Sequence, residues 1–181
     1  NRGVKKDFTV YWKNTYAFTK KLEGFVDLQY RRIDYDASGK ENRQFDFAVN
    51  KQFNFFNPKL GLTYAIDQQN QVYASYAVGN REPVRDDFID ALAGTTPKHE
   101  SMGDLEAGWR WRKRNLYLNV NYYYMKYKNQ LVPTGKVNDV GALIRTNVAD
   151  SYRTGLELEA NWRISSKISW MANLTLSENK I

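Results

Sequence analysis

Residues Tyr152–Ile164 read YRTGLELEANWRI. One alternate set is Tyr152, Thr154, Leu156, Leu158, Ala160, Trp162 and Ile164; the other is Arg153, Gly155, Glu157, Glu159, Asn161 and Arg163. A period of two is the mark of a half-buried strand, because successive side chains of extended backbone point to opposite faces. The pattern resumes at once, with Ile168, Trp170, Ala172, Leu174 and Leu176 on the apolar side. Upstream it recurs in Leu116–Tyr124, Leu105–Trp111, Val72–Val78, Leu60–Ile66, Gly24–Tyr30 and Phe8–Trp12. Eight strands are predicted, most of them long enough to cross a bilayer at a tilt.

The connections alternate in length. Short ones fall at Thr19–Lys21, Asp67–Asn70, Lys113–Asn115 and Ser165–Lys167; long ones fall at Asp36–Gln44, Asn80–Met102 and Asn129–Arg145. A sandwich has no such rule, whereas an outer-membrane barrel keeps tight turns at the periplasmic rim and long loops outside. The alternation also sets direction: the first strand descends to the periplasm and the last, from Ile168, climbs back. Aromatic residues of the apolar face, Tyr16, Tyr64, Trp111, Trp162 and Trp170, cluster beside the short turns, where a periplasmic aromatic girdle is expected. Glu106, Arg110, Arg112, Glu157, Glu159 and Arg163 fall on the opposite face and are expected to line the lumen, with Asp27.

An apolar face needs a cover. The only predicted helix is short, Asp86–Leu92, with Asp86 as cap and Gly94 as stop, and it cannot cover eight strands. Lipid is the simplest cover, so the predicted fold is all-β: an antiparallel up-and-down transmembrane β-barrel. No run of apolar residues is long enough for a membrane-spanning helix. The mean hydropathy of −0.70 fits strands that are apolar only at alternate positions. There is no cysteine, which removes disulfides and Cys-ligated metals. The net charge of +7 is spread along the chain, in the manner of a solvated basic surface and not of a nucleic-acid-binding patch. The first residue is Asn1, and no signal peptide is evident, so a processed chain or a fragment is expected.

No nucleophile–base constellation is present, so no enzyme and no cofactor are predicted. The single histidine, His99, has no second ligand motif and reads as a loop residue, with no metal site. Asp86, Asp87 and Asp90 lack the spacing of a calcium loop. Pro58 within a strand marks an edge, a bulge or a stretch beyond the membrane. Arg81, Arg85 and His99 sit in the longest loop, and their cationic character would suit an anionic chelate, so these are the candidate substrate-facing residues.

Several stretches, in order, resemble the barrel of TonB-dependent receptors, in particular the iron-transport branch. Asn57–Tyr64 followed by Gln71–Tyr76 is similar to a strand–turn–strand of that family. Arg81-Glu82-Pro83, then Pro97–Glu100 leading into Leu105–Gly108, resembles the loop and strand that follow it. Tyr122–Tyr127, Asn147–Ala149 and Gly155–Ala160 resemble the next hairpin. The resemblance implies about eight strands of a barrel of about 22, an internal third without plug domain, TonB box or closing C-terminal strands. It implies import of a large scarce nutrient such as an iron–siderophore or haem. The implied partners are outer-membrane lipid and lipopolysaccharide, TonB through the plug domain of the parent protein, and a ferric siderophore. Two alternatives stay open: a passive porin or a small closed eight-stranded barrel, and a soluble β-rich binding module.

Overall fold

The computed structural model describes residues 2–40, 46–91, 95–138 and 141–181. Its strands are β1 (Arg2–Ala17), β2 (Leu22–Lys40), β3 (Asp46–Ala65), β4 (Asn70–Arg81), β5 (Glu100–Lys113), β6 (Leu116–Val137), β7 (Leu143–Arg163) and β8 (Ser169–Lys180), with one helix, α1 (Arg85–Ile89), between β4 and β5. They form one sheet in the order β1 to β8, each pair antiparallel, so every strand pairs with its neighbours in sequence. Among the described residues β1 and β8 have no ladder to each other, so the sheet does not close into an eight-stranded barrel.

Cross-strand partners share a face, and the register therefore extends the period-two reading across the whole sheet. Trp170 pairs with Trp162, Leu174 with Leu158, Leu158 with Val120, Val120 with Trp109 and Trp109 with Val72. The series continues from Val72 to Tyr64 and from Tyr64 to Leu22, and the next row runs from Ala74 through Leu62 and Gly24 to Tyr16. These apolar side chains are left uncovered: Leu60 is 51% exposed, Leu62 50% and Leu174 52%. Among the described residues the buried hydrophobic ones lie on the other face near the loop end: Ile33, Ala37, Phe55 and Leu131. A water-soluble sheet would show the reverse.

Three of the short turns share one local device. Thr19 Oγ1 accepts the N–H of Lys21 at 3.1 Å and of Leu22 at 2.9 Å. Asp67 Oδ1 accepts those of Gln69 at 2.7 Å and Asn70 at 2.9 Å, and Ser165 Oγ those of Lys167 and Ile168, both at 3.2 Å. Each is a side-chain mimic of a turn, placed after the apolar residue that follows the strand end: Phe18, Ile66 and Ile164. The N–H of Gln69, followed by the side chain and N–H of Asn70, holds the Asp67 carboxyl below the usual range.

The opposite rim departs from the sequence expectation. Asn129–Arg145 is not an open loop, because β6 continues to Val137 and β7 begins at Leu143, with a register irregularity between Pro133 and Val137. Likewise Asp36–Lys40 belongs to β2, while the rest of that expected loop lies outside the described residues. A hairpin ladder needs only backbone pairing, so it persists above the band where lipid imposes alternation. The hairpins β2–β3 and β6–β7 thus stand taller than β4–β5 between them. Pro58 sits one residue beyond the β3–β4 ladder, which begins at Lys59 opposite Ala77, a place where a missing N–H costs no pairing on that side.

Candidate functional site

The polar face carries Asp27 on β2, opposite Lys13 and Lys59, and the six charged residues read onto it from β5 and β7, which register arranges in rows with β6. One row is Arg110–Asn119–Glu159, the next Gly108–Asn121–Glu157 and the next Glu106–Tyr123–Gly155. Arg112 lies below, opposite Tyr117, and Arg163 is paired with Ser169 at the foot of β7. A continuous chain of contacts links four strands. The Arg110 guanidinium lies 4.0 Å from the centre of the Tyr73 ring. Tyr73 donates from its hydroxyl to Asn121 Oδ1 at 2.8 Å, and Asn121 Nδ2 donates to Glu157 at 3.4 Å. The Tyr73 ring rests where a Cβ on Gly108 would meet it at 2.5 Å, so the glycine makes the seat. Sequence alternation placed Arg110 and Glu157 on one face; Tyr73 and Asn121, which connect them, carried no charge signal and were missed.

At the other end of this face the segment after β4 folds inward over the sheet. Glu82 reaches Lys5 of β1 and Arg31 of β2, the latter at 3.2 Å, and Arg31 also holds Asp7. Burial pushes the Glu82 carboxyl up, but the Lys5 hydrogen bond, its own backbone N–H and the charges of Lys5 and Arg31 outweigh this and hold it below the usual range. Helix α1 then packs Phe88 near Tyr35, with ring centres 6.4 Å apart, and Asp87, buried, pairs with Arg145 of β7 at 2.8 Å. Asn147 of β7 exchanges hydrogen bonds with the backbone of Lys98 at 2.8 and 3.0 Å. The segment therefore bridges the two tall hairpins.

The helix differs from its sequence reading. It starts one residue earlier, Val84 is the cap, and the acid that matters is Asp87, which accepts the Val84 N–H at 2.8 Å. An acid in the first turn satisfies a free N–H from within, so Asp86 need not cap. Leu92 and Gly94 lie outside the described residues.

Arg81, Arg85 and His99 all surround this segment, but they are engaged. Arg81 pairs with Glu100 at 2.8 Å, Arg85 lies over the Phe47 ring at 4.9 Å, and His99 sits 5.4 Å from Phe55 and 6.3 Å from Phe53. Asp87 binds Arg145, and Asp90 accepts Asn138 at 3.0 Å. Among the described residues no cluster of three or more His, Cys, Asp or Glu could hold a metal ion.

On the apolar face Tyr16, Tyr64, Trp111, Trp162 and Trp170 all lie close to the short turns, and Trp162 is the register partner of Trp170. A second aromatic set, unnoticed in the sequence, marks the other edge of the band: Tyr30 opposite Phe56, then Tyr76, Tyr122, Tyr124 and Tyr152. Tyr124 and Tyr152 stack with centres 6.0 Å apart. From Tyr152 to Trp162, at about 3.4 Å per residue and a tilt of about 40°, the strand rises roughly 25 Å, the height of a hydrocarbon-facing band. Beyond it the same face turns polar, with Arg32, Asp34, Lys126 and Lys128.

The sequence of residues 1–180 matches the family model "TonB dependent receptor-like, beta-barrel". The chain belongs to that family. Its eight strands are thus a section of a TonB-dependent receptor barrel, and this family is one of outer-membrane transport receptors in Gram-negative bacteria. Solved structures of the same fold include the copper transporter OprC, with 14% identity and a TM-score of 0.79, covering 98% of this chain and 30% of that one. The ferric yersiniabactin uptake receptor FyuA from Yersinia pestis matches at 19% identity and TM-score 0.72, covering 98% and 27%. The alcaligin outer-membrane receptor FauA from Bordetella pertussis matches at 19% and 0.71, covering 98% and 31%. The chain thus spans about 30% of the length of these TonB-dependent barrels. No curated protein matches the sequence.

Proposed function

We propose that this chain is part of the wall of an outer-membrane receptor that imports a large, scarce nutrient, such as an iron–siderophore complex or haem, with energy delivered by TonB through the family's plug domain. The observation that carries the reading is one sheet, matched by the family model from end to end, with an uncovered apolar band between two aromatic belts on one face and a hydrogen-bonded polar wall on the other. The 181 residues make up a partial barrel domain. The band faces outer-membrane lipid, with lipopolysaccharide against the polar zone above the tyrosines. Glu106, Arg110, Arg112, Glu157, Glu159 and Arg163 line the lumen. Arg81, Arg85 and His99 stand at its outer mouth as substrate-facing residues, and the cargo of FyuA and FauA, named in their descriptions, makes iron chelates the first class to try.

The test is uptake of labelled iron from a panel of ferric siderophores and haem by iron-starved cells expressing the full-length protein, with and without TonB. Saturable uptake of one chelate that vanishes without TonB is expected. Uptake at the same rate without TonB, proportional to concentration, would make the barrel a porin.

A further inference from the structure

The two turns at the foot of β5–β8 carry cations and no acids. Lys113 ends β5, Arg114 and Asn115 turn the chain into β6, Arg163 ends β7, and Lys167 lies in the turn into β8. No Asp or Glu occurs in residues 107–138 or 160–177, so neither turn nor the strand ends beside it hold a neutralising carboxylate. The foot of β1–β4 is balanced instead, with Lys20 and Lys21 matched in number by Glu23 and Asp67. Asp67 keeps its carboxyl on Gln69 and Asn70 of its own turn.

Backbone and register bring these cations against the aromatic girdle. The Arg163 N–H donates to the Asn115 carbonyl at 2.8 Å, which ties the β5–β6 turn to the foot of β7. Arg114 opens its two-residue turn with a φ of 50°, in the left-handed region. Glycine fills such a position most easily, so an arginine there keeps a guanidinium at the rim despite backbone strain. On the outer face one row runs Lys113–Leu116–Trp162–Trp170. Trp111 precedes Lys113 on that face by about 7 Å. Trp162 is 44% exposed and Trp170 50%. An open hollow of about 350 Å³ at this corner is lined by Arg114, Leu116, Trp162 and Trp170, with Arg112 and Arg163 reaching it from the polar face, and by no acid. Indoles that end an apolar band, with cations just beyond, match the junction of acyl chain and phosphate in a lipid.

We propose that Lys113, Arg114 and Lys167 form a site on the lipid side of the short-turn rim for the phosphodiester of an anionic glycerophospholipid such as phosphatidylglycerol, with Trp162 and Trp170 against the head of its acyl chains. A zwitterionic lipid brings an ammonium group for which this acid-free corner has no partner, so the anionic lipid is preferred. The inference rests on the proposed reading that the apolar band faces lipid, and is independent of the cargo and of what fills the lumen.

The experiment is photo-crosslinking of the full-length protein in phosphatidylcholine vesicles that carry a trace of labelled lipid. The label is a diazirine near the head of one acyl chain, on phosphatidylglycerol in one sample and on phosphatidylcholine in the other, and crosslinks are read by residue with peptide mass spectrometry. With three cations at the site, Trp162 and Trp170 should take about tenfold more label from phosphatidylglycerol. Tyr16 and Tyr64, at the balanced foot of β1–β4, should take the two lipids equally and report correct insertion of every variant. Lys113→Gln should cut the excess about fivefold, and Lys113→Gln, Arg114→Gln and Lys167→Gln together should abolish it. Lys20→Gln, the same charge change at the balanced foot, and the charge-keeping pair Lys113→Arg and Lys167→Arg should leave it intact. Equal labelling of Trp162 and Trp170 by both lipids overturns the site and leaves the lipid-facing band standing, as does an excess that survives in the triple variant. Loss of the excess on adding glycerol 3-phosphate equimolar with the labelled lipid would mean that a free phosphate is bound, and overturns the lipid site. If neither lipid labels any of the four aromatic residues, the lipid-facing reading falls with the site.

Discussion

Leu158 and Glu159 are adjacent in sequence and lie on opposite faces of β7, so they test the two-solvent reading at the smallest scale. Leu158 pairs with Val120 and Leu174 within the apolar band; Glu159 lies opposite Asn119 and Asn173 on the polar wall. Leu158→Arg should destabilise the folded barrel by about 2–4 kcal/mol, the depth-dependent cost of an arginine facing hydrocarbon, while Glu159→Gln should be nearly silent. Denaturant titration of the full-length protein in lipid vesicles measures both, and equal losses would contradict the assignment of faces. This much was legible in the sequence, because alternation fixes the face of a residue without knowledge of its neighbours. What alternation cannot give is partnership. Glu82 looked like an ordinary loop acid, and its contact with Lys5 spans 77 residues of sequence. Arg81 looked like a free cation until Glu100 was found beside it.

At the scale of elements, the alternation of short and long connections places Gln69, Asn115 and Ser166 at one rim and Lys98 and Val137 at the other. The chain has no cysteine, so single cysteines introduced into it meet no native thiol of this section, and the full-length protein without them supplies the background. On intact cells an impermeant thiol reagent should label Lys98→Cys and Val137→Cys, and reach Gln69→Cys, Asn115→Cys and Ser166→Cys only after the outer membrane is permeabilised. Labelling of the second group on intact cells would invert the orientation. Strand number and order were legible because lipid demands alternation over the whole band. Strand ends at the outer rim were not, because Asp36–Lys40 and Asn129–Val137 lie where neither face meets lipid and only backbone pairing decides. Helix α1 was foreseen in place but not in detail: Asp86 was read as its cap, and only the fold shows that Asp87 both holds the Val84 N–H and meets Arg145.

For the whole molecule, the unpaired outer edges of β1 and β8 govern behaviour in isolation. Open backbone groups in hydrocarbon cost several kcal/mol each, so an open sheet is not a stable membrane structure. The 181-residue chain expressed alone should aggregate or remain unfolded in detergent, whereas the full-length protein yields a heat-resistant barrel; gel mobility with and without boiling distinguishes them. A monodisperse, folded isolated chain would contradict this. The inward segment between β4 and β5 has a consequence in time as well as in space. Every ladder of the sheet joins sequence neighbours, so the strands can zip together hairpin by hairpin with little loop entropy to overcome at each step. The bridge from Lys5 and Arg31 through Glu82 to Arg145 and Asn147 has no such local route, since its two ends belong to hairpins far apart in the chain. It can form only after both tall hairpins stand, which makes its closure the last event of assembly and a natural mark that the outer rim is complete.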